Sequence, residues 1–330
     1  MTAGSTVLAW GRDLVEPALR AAVAELPPSM RPLARHHFGW DDEQPHGKAI
    51  RPAVALLAAR AVGTPEPALP TAVAIELVHN FSLLHDDVMD GDDTRRHRPT
   101  VWKLFGVGPA ILAGDALITL AAQVLAASGH PAAGAGLRML TGAVLELVEG
   151  QSADLAFEQR DDVEPAECRA MAEGKTGALL GCAAALGALF GGGSPEQVRA
   201  LDAFGRKLGL AFQFVDDLLG IWGEPAKTGK PVHSDLANRK KSLPVVAALC
   251  SGTPAGAELA ALYRKPDRLS KEDLARAARL VELAGGRAWA REEAEDLRDR
   301  ALAHLRAADP DPAAARDLEL LAHLTTSRSW

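Results

Sequence analysis

Leu84-His85-Asp86-Asp87-Val88-Met89-Asp90 closes an apolar stretch that begins near Thr71, and its reading decides the fold. Upstream, Val73, Leu77, Val78, Phe81 and Leu84 recur at helical spacing, which predicts a long helix from Thr71 to Asp90. Asp86 and Asp90 stand four apart, so they share a face of that helix and can approach one cation together. Like charges at that spacing cost a helix a few tenths of a kcal/mol, and apolar surroundings add to the cost. A compensating cation is therefore expected. Magnesium suits the role, because it takes one or two carboxylates and fills its other positions with water and phosphate oxygens.

The same arrangement recurs where Ala211-Phe212-Gln213-Phe214-Val215 runs into Asp216-Asp217, at the end of a second long helix expected over Glu196 to Trp222. Gln213 lies one turn before Asp217 and can bond a ligand oxygen or order a metal-bound water. Two acid-tipped apolar helices suggest facing walls of a pocket whose mouth holds metal ions bridged by diphosphate. A diphosphate carries about three negative charges near neutral pH and needs cations as well as metals beside an acidic cluster. Lys48 and Arg51, Arg95 and Arg96, Lys175, Lys230, and Arg239-Lys240-Lys241 all sit near chain breakers, where they can supply those cations.

Working outward, the whole chain fits an all-α protein. Its 330 residues are 48% hydrophobic but only 5% aromatic, a composition that favours helix over sheet. Pro27-Pro28, Gly63 to Pro70, His97 to Pro109, Ser128 to Gly136, Gly191 to Pro195, Gly223 to Pro231, Gly252 to Pro254 and Pro310 to Pro312 cut the sequence into helix-length pieces, none alternating with strand period. No composition shift or repeat separates domains, so one domain over 1–330 is expected, with its motifs in 47–249 and amphipathic outer helices in 250–330. The net charge of −7 provides no global basic field for nucleic acid or anionic lipid. Thr176 to Pro195 is uncharged and long, but its glycines and its Gly-Gly-Gly-Ser-Pro ending point to a packed core helix rather than a membrane span, and no stable membrane insertion is expected. Cys168, Cys182 and Cys250 form no pairing pattern, and no export signal is read at the N-terminus; a cytoplasmic protein is expected.

From about Gly47 to Leu249, and more weakly beyond, the sequence resembles the trans-isoprenyl diphosphate synthase, or polyprenyl synthase, family. Asp86-Asp87-Val88-Met89-Asp90 looks like that family's first aspartate-rich motif, D-D-x-x-D, and Asp216-Asp217 looks like the start of the second. The resemblance implies an all-α bundle around a deep central pocket, usually a homodimer. By the same resemblance Asp86, Asp90 and Asp216 would ligate Mg²⁺, three ions per site, on an allylic diphosphate, with Asp87 and Asp217 in support. Arg95, Lys175, Gln213, Lys230 and Lys240 match contacts to that diphosphate. Lys48, Arg51, His79 and Arg96 match the site for the second substrate, isopentenyl diphosphate. His79 precedes Asp86 by seven residues, two turns along one helix face, which agrees with a binding role.

The expected chemistry is head-to-tail prenyl transfer. A class I terpene cyclase on the same scaffold is the main alternative, but it has no use for the isopentenyl diphosphate residues. A metal-dependent phosphohydrolase is a further one, for which His85-Asp86 is a weak signature. One departure stands out: the second motif reads Asp216-Asp217-Leu218-Leu219-Gly220, with glycine where the family's last aspartate is usual. For chain length, the resemblance implies that an aromatic five residues before the first motif limits growth and a second aromatic one residue later favours a fifteen-carbon product. Phe81 holds the first position and Ser82 the second, so geranylgeranyl diphosphate is expected, with farnesyl diphosphate next. His36, His37, Asp41, Asp42 and His46 look like a metal cluster on paper, but their irregular loop spacing favours an ordinary surface.

Overall fold

The computed structural model describes residues 3–41, 47, 49–224 and 232–326. Its elements are α1 (Ala3–Ala24), α2 (Arg31–Phe38), α3 (Ile50–Val62), α4 (Leu69–Met89), α5 (Val101–Phe105), α6 (Val107–Ala126), α7 (Ala133–Phe157), α8 (Pro165–Ala172), α9 (Ala178–Phe190) and α10 (Pro195–Trp222). They continue as α11 (Ser234–Ala237), α12 (Leu243–Leu249), α13 (Pro254–Tyr263), α14 (Lys271–Leu283), α15 (Gly286–Ala307) and α16 (Pro312–Thr326). The fold is all-α, as the composition implied. Among the described residues the one β element is an antiparallel ribbon of β1 (Thr94–Arg95) and β2 (Arg98–Pro99), with Thr94 opposite Pro99. Strands of two residues are too short to show alternation, which is why sequence periodicity passed over them.

The contacts group the chain into two compact units, one of residues 1–144, 179–205 and 304–321, the other of 145–178, 206–303 and 322–330. In the first unit α4 packs against α1, α3 and α6. Every apolar residue that defined its helical stripe, Val73, Leu77, Val78, Phe81 and Leu84, is buried. Close helix approach in this unit depends on small residues: a β-carbon on Gly187 or Gly191 of the α9 segment would run into the α3 backbone at Ala55 or Ala59. The stretch read as a packed core helix forms α9, whose side chains are almost all buried. Among the described residues, Val107–Ala126 is instead the single helix long and apolar enough to cross a membrane by length and composition, and only 39% of its most apolar window is buried.

The second unit is built on Phe214, Val215 and Leu218 of α10, which pack with Cys168 and Met171 of α8, Leu243 and Val246 of α12, and Ala290, Ala294 and Leu297 of α15. Glu164 and Glu167 form a capping box that starts α8, and Ser270 and Asp273 form another for α14. Between α8 and α9 the backbone widens to a π-helical turn over Glu173–Gly177. Gly150 and Gly174 let this turn lie against α7, since a β-carbon on Gly150 would strike the Lys175 amide nitrogen.

Candidate active site

In the first unit the acids cluster where α4 ends. The C-terminal end of a helix already carries partial negative charge, so carboxylates there raise the demand for a cation. Asp86 is partly exposed and Asp90, the C-cap, is exposed, while Asp87 between them is buried at 1% exposure. Asp87 accepts a 2.6 Å hydrogen bond from Arg95 Nε. Burial pushes its carboxyl up to about 6 against the pull of that guanidinium, and Asp92 and Asp86 add to the rise. The loop beyond is tied down at Asp92, whose carbonyl accepts from Thr100 Oγ1 and Trp102 Nε1, both at 2.9 Å. That anchoring, with the β1–β2 turn, fixes Arg95 and Arg96 just after the acids; Arg96 and His97 both take left-handed backbone conformations, with φ of 52° and 62°.

Two turns before Asp86 on the same helix, His79 is surrounded by cations from α3 and from the β1–β2 segment. Arg51 Nη1 lies 3.3 Å from His79 Nε2. Burial holds His79 well below the usual histidine range, and the charges of Arg51, Arg96 and Arg95 press in the same direction. His37 is pushed down to about 3, first by burial and then by Arg95 and Arg96. Glu76 is the carboxylate among them: burial raises its pKa, while a hydrogen bond from Asn80 and the charges of Arg51 and Arg96 pull the other way. With its histidines neutral and its arginines charged, this group suits an anion. Arg96 also lies so close to Gly47 that a β-carbon there would displace the guanidinium.

In the second unit α10 carries Asp216, exposed, and Asp217, 3% exposed. Asp217 accepts from Gln213 Nε2 at 2.7 Å and from the Leu243 amide at 2.9 Å, and Gln213 Oε1 accepts from Thr176 Oγ1 at 2.7 Å. Burial pushes Asp217 up to about 7, opposed by Lys240 and reinforced by Asp235. Lys175, inside the π-helical turn, donates to Asp154 Oδ2 at 2.6 Å. Such turns recur at functional sites because they re-aim side chains. Burial works against the charge on Lys240, yet Asp217, Asp235, Asp154 and Asp216 together raise its pKa above the usual lysine range.

Arg51, His79, Asp86, Asp87, Asp90, Arg95 and Arg96 thus belong to one unit, and Lys175, Gln213, Asp216, Asp217 and Lys240 to the other. Lys48 and Lys230 lie outside the described residues. Phe81 is buried with its ring edge-on to His85 at 4.9 Å, and Ser82 Oγ donates to the His79 carbonyl. His36 pairs with the Pro99 carbonyl at 2.9 Å, and Asp41 forms an ion pair with Arg35; Asp42 and His46 are outside the described residues. Sequence reasoning passed over Glu76, Asn80, Asp154, Thr176 and Asp235. Glu76 did carry a signal, being the sole acid in the apolar run from Thr71 to Leu84.

Among the described residues no three His, Cys, Asp or Glu side chains converge on one point as a self-sufficient metal cage. Magnesium does not require one, since one or two carboxylates plus phosphate and water complete its shell. Buried carboxyls beside partly exposed ones, with fixed cations around them, fit a divalent ion held jointly with a phosphorylated ligand.

Comparison with known proteins agrees with these features. A polyprenyl synthetase family profile matches residues 41–281. A (2E,6E)-farnesyl diphosphate synthase of Mycobacterium tuberculosis is 49% identical, over 98% of this chain and 92% of its own. A geranylgeranyl diphosphate synthase of the same organism is 44% identical, over 98% and 94%. Among solved structures, a polyprenyl synthetase from Streptomyces coelicolor A3(2) superposes with a TM-score of 0.92 at 48% identity, covering 97% of this chain and 98% of that one. Geranylgeranyl pyrophosphate synthase from Corynebacterium glutamicum, complexed with isoprenyl diphosphate and magnesium, superposes with a TM-score of 0.81 at 28% identity, covering 99% and 98%.

Proposed function

The chain belongs to the polyprenyl synthetase family and is a short-chain prenyltransferase, and from that premise we propose that it joins isopentenyl diphosphate head-to-tail to an allylic diphosphate, with geranylgeranyl diphosphate as the main product. The observation that carries this reading is the gathering of Arg51 from α3 and Arg96 from the β1–β2 turn around neutral His79, on the helix that ends in the first aspartate motif. A cyclase needs one diphosphate site; a condensing enzyme needs two. Arg51, His79 and Arg96, with Lys48, are assigned to isopentenyl diphosphate. Arg95, Lys175, Gln213, Lys230 and Lys240 are assigned to the allylic diphosphate.

The family uses magnesium, and Asp86, Asp90 and Asp216 are the residues assigned to hold it, as three ions. Bound there, it supplies positive charge against the departing diphosphate. The rest falls to the chain. Arg95, Lys175 and Lys240 add fixed positive charge where the leaving group gains its negative charge, which lowers the barrier to breaking the allylic carbon–oxygen bond. Arg51, His79 and Arg96 fix the second diphosphate so that its double bond meets the new cation, with effective concentration replacing a chance encounter. A carbon–carbon bond forms, and one proton leaves to the released diphosphate. No side-chain nucleophile is required. Apolar helix surfaces keep water from quenching the cation.

Product length is assigned from Phe81 and Ser82. Small Ser82 leaves room for growth beyond fifteen carbons, and Phe81 with its His85 partner limits it at twenty. Chromatography of the products from dimethylallyl, geranyl and farnesyl starters tests this: twenty carbons should dominate with each, and accumulation at fifteen would overturn the assignment. Leu104, Phe105, Val107, Ile111 and Leu112 are exposed together on α5 and α6, an apolar face that a second copy would cover in the proposed homodimer. The three free cysteines, two of them buried, accord with a reducing cytoplasm.

A further inference from the structure

Along α7, Leu140, Ala143, Leu147, Gln151 and Phe157 are buried at the three- and four-residue spacing of one helix face, and Asp154 lies on that face between the last two. Gln151 interrupts this apolar stripe. It is 7% exposed, yet neither its Oε1 nor its Nε2 has a hydrogen-bond partner. Among the described residues it is the one side chain with two such atoms. We infer that Gln151 is a catalytic residue for the allylic substrate, its carboxamide oxygen facing the carbon that turns cationic and its amino group donating to the oxygen that departs with the diphosphate.

The inference rests on the allylic diphosphate site proposed around Lys175 and Gln213, and it draws on energetics, neighbours and position. Burying both ends of an amide without partners is costly, and an apolar side chain of the same shape would spare the protein that cost. The arrangement therefore calls for a polar ligand. The polar side chains nearby close their own network without Gln151: Thr176 Oγ1 donates to Gln213 Oε1 and Gln213 Nε2 to Asp217 Oδ1, both at 2.7 Å, and Lys175 Nζ donates to Asp154 Oδ2 at 2.6 Å. Asp154, which holds Lys175, follows Gln151 by three residues, and apolar Leu147 precedes it by four. Gly150 brings the π-helical turn that carries Lys175 against the same level of α7. The carboxamide thus stands at the border between charged and apolar walls, where the breaking carbon–oxygen bond belongs. A carbonyl dipole fixed there by packing offers negative charge to a growing cation without having to reorganise.

The test uses the full chain and two apolar replacements of similar volume, Gln151→Met and Gln151→Leu, so that one poorly folding variant does not decide the matter. In single turnovers with geranyl diphosphate, isopentenyl diphosphate and Mg²⁺, each variant should be slower by about a hundredfold, the scale of one lost preorganised contact. The KM for isopentenyl diphosphate should stay within about threefold, since its binding is not what the variants remove. Without ligands their Tm should rise by about 2 °C, because an orphaned buried amide has gone. A glutamine that only bonds water or fills space would give the reverse, with the rate kept and Tm unchanged or lowered, and that result would overturn the inference. A second measurement needs no turnover: geranyl diphosphate with Mg²⁺ should raise Tm more in the unaltered chain than in either variant, because only there does the ligand satisfy an orphaned amide. Equal increments would overturn the inference as well. An unaltered chain that shows the larger increment but forms no carbon–carbon bond would count against the proposed reaction and support the contact.

Discussion

His37 stays neutral in the fold where a free histidine would begin to charge, and this sets an acid-side limit on stability. Its folded pKa lies near 3 and its unfolded value near the ordinary 6.5 of histidine. Between those values the unfolded chain binds more protons, so stability falls as pH drops from about 6.5 toward 3. At pH 5 this amounts to at most about 2 kcal/mol for one such histidine. His37→Gln should flatten that decline, seen in urea unfolding at pH 7 and pH 5; an unchanged difference between the two would contradict it. Phe81→Ala should shift products toward longer chains without loss of turnover, and an unaltered product distribution would remove Phe81 as the limiting residue. At this scale the sequence displayed what is local. Asp86, Asp87 and Asp90 could be read from spacing within one helix, and so could His79. Asp235 could not, because its meeting with Gly220 depends on how the chain returns after α10. Nor could the pairing of Asp87 with Arg95, which depends on a tied-back loop rather than on any spacing.

At the level of elements, the expected helices Thr71–Asp90 and Glu196–Trp222 are realised as Leu69–Met89 and Pro195–Trp222, because long apolar periodicity bounded by proline and acids leaves few alternatives. The β1–β2 ribbon and the π-helical turn at Glu173–Gly177 were not legible, being shorter than any period. Packing between helices depends on glycine in a way that can be tested in pairs. Gly187 sits so close to the Ala55 carbonyl that Gly187→Ala should cost about 2 kcal/mol through overpacking. Gly142, within α7, has open space around its absent β-carbon, so Gly142→Ala should stabilise by up to about 1 kcal/mol through helix propensity and reduced unfolded-state freedom. Equilibrium denaturation of the two variants checks both signs; equal effects would show that the close approach does not matter.

Across the whole molecule, composition named the fold class and the packed core helix within Thr176 to Pro195 correctly, but gave no sign of which apolar helix is left open. Thr176 to Pro195 attracted attention through its lack of charge and became a buried core helix, whereas the apolar helix left substantially open is α6. The difference is tertiary: both are apolar, and only packing decides which one is covered. In the dimer proposal the open side of α5 and α6 has a partner. Leu112→Glu should then convert a dimer into a monomer in sedimentation velocity at micromolar concentration, while a monomeric parent would contradict the assigned face. The central claim concerns chemistry. It is tested most directly by giving the purified protein Mg²⁺, farnesyl diphosphate and carbon-13-labelled isopentenyl diphosphate and identifying what forms by mass spectrometry. The account predicts a linear prenyl diphosphate longer by one labelled five-carbon unit, with nothing formed when the labelled partner is withheld. A cyclic hydrocarbon made from farnesyl diphosphate alone, or release of phosphate without a new carbon–carbon bond, would contradict it.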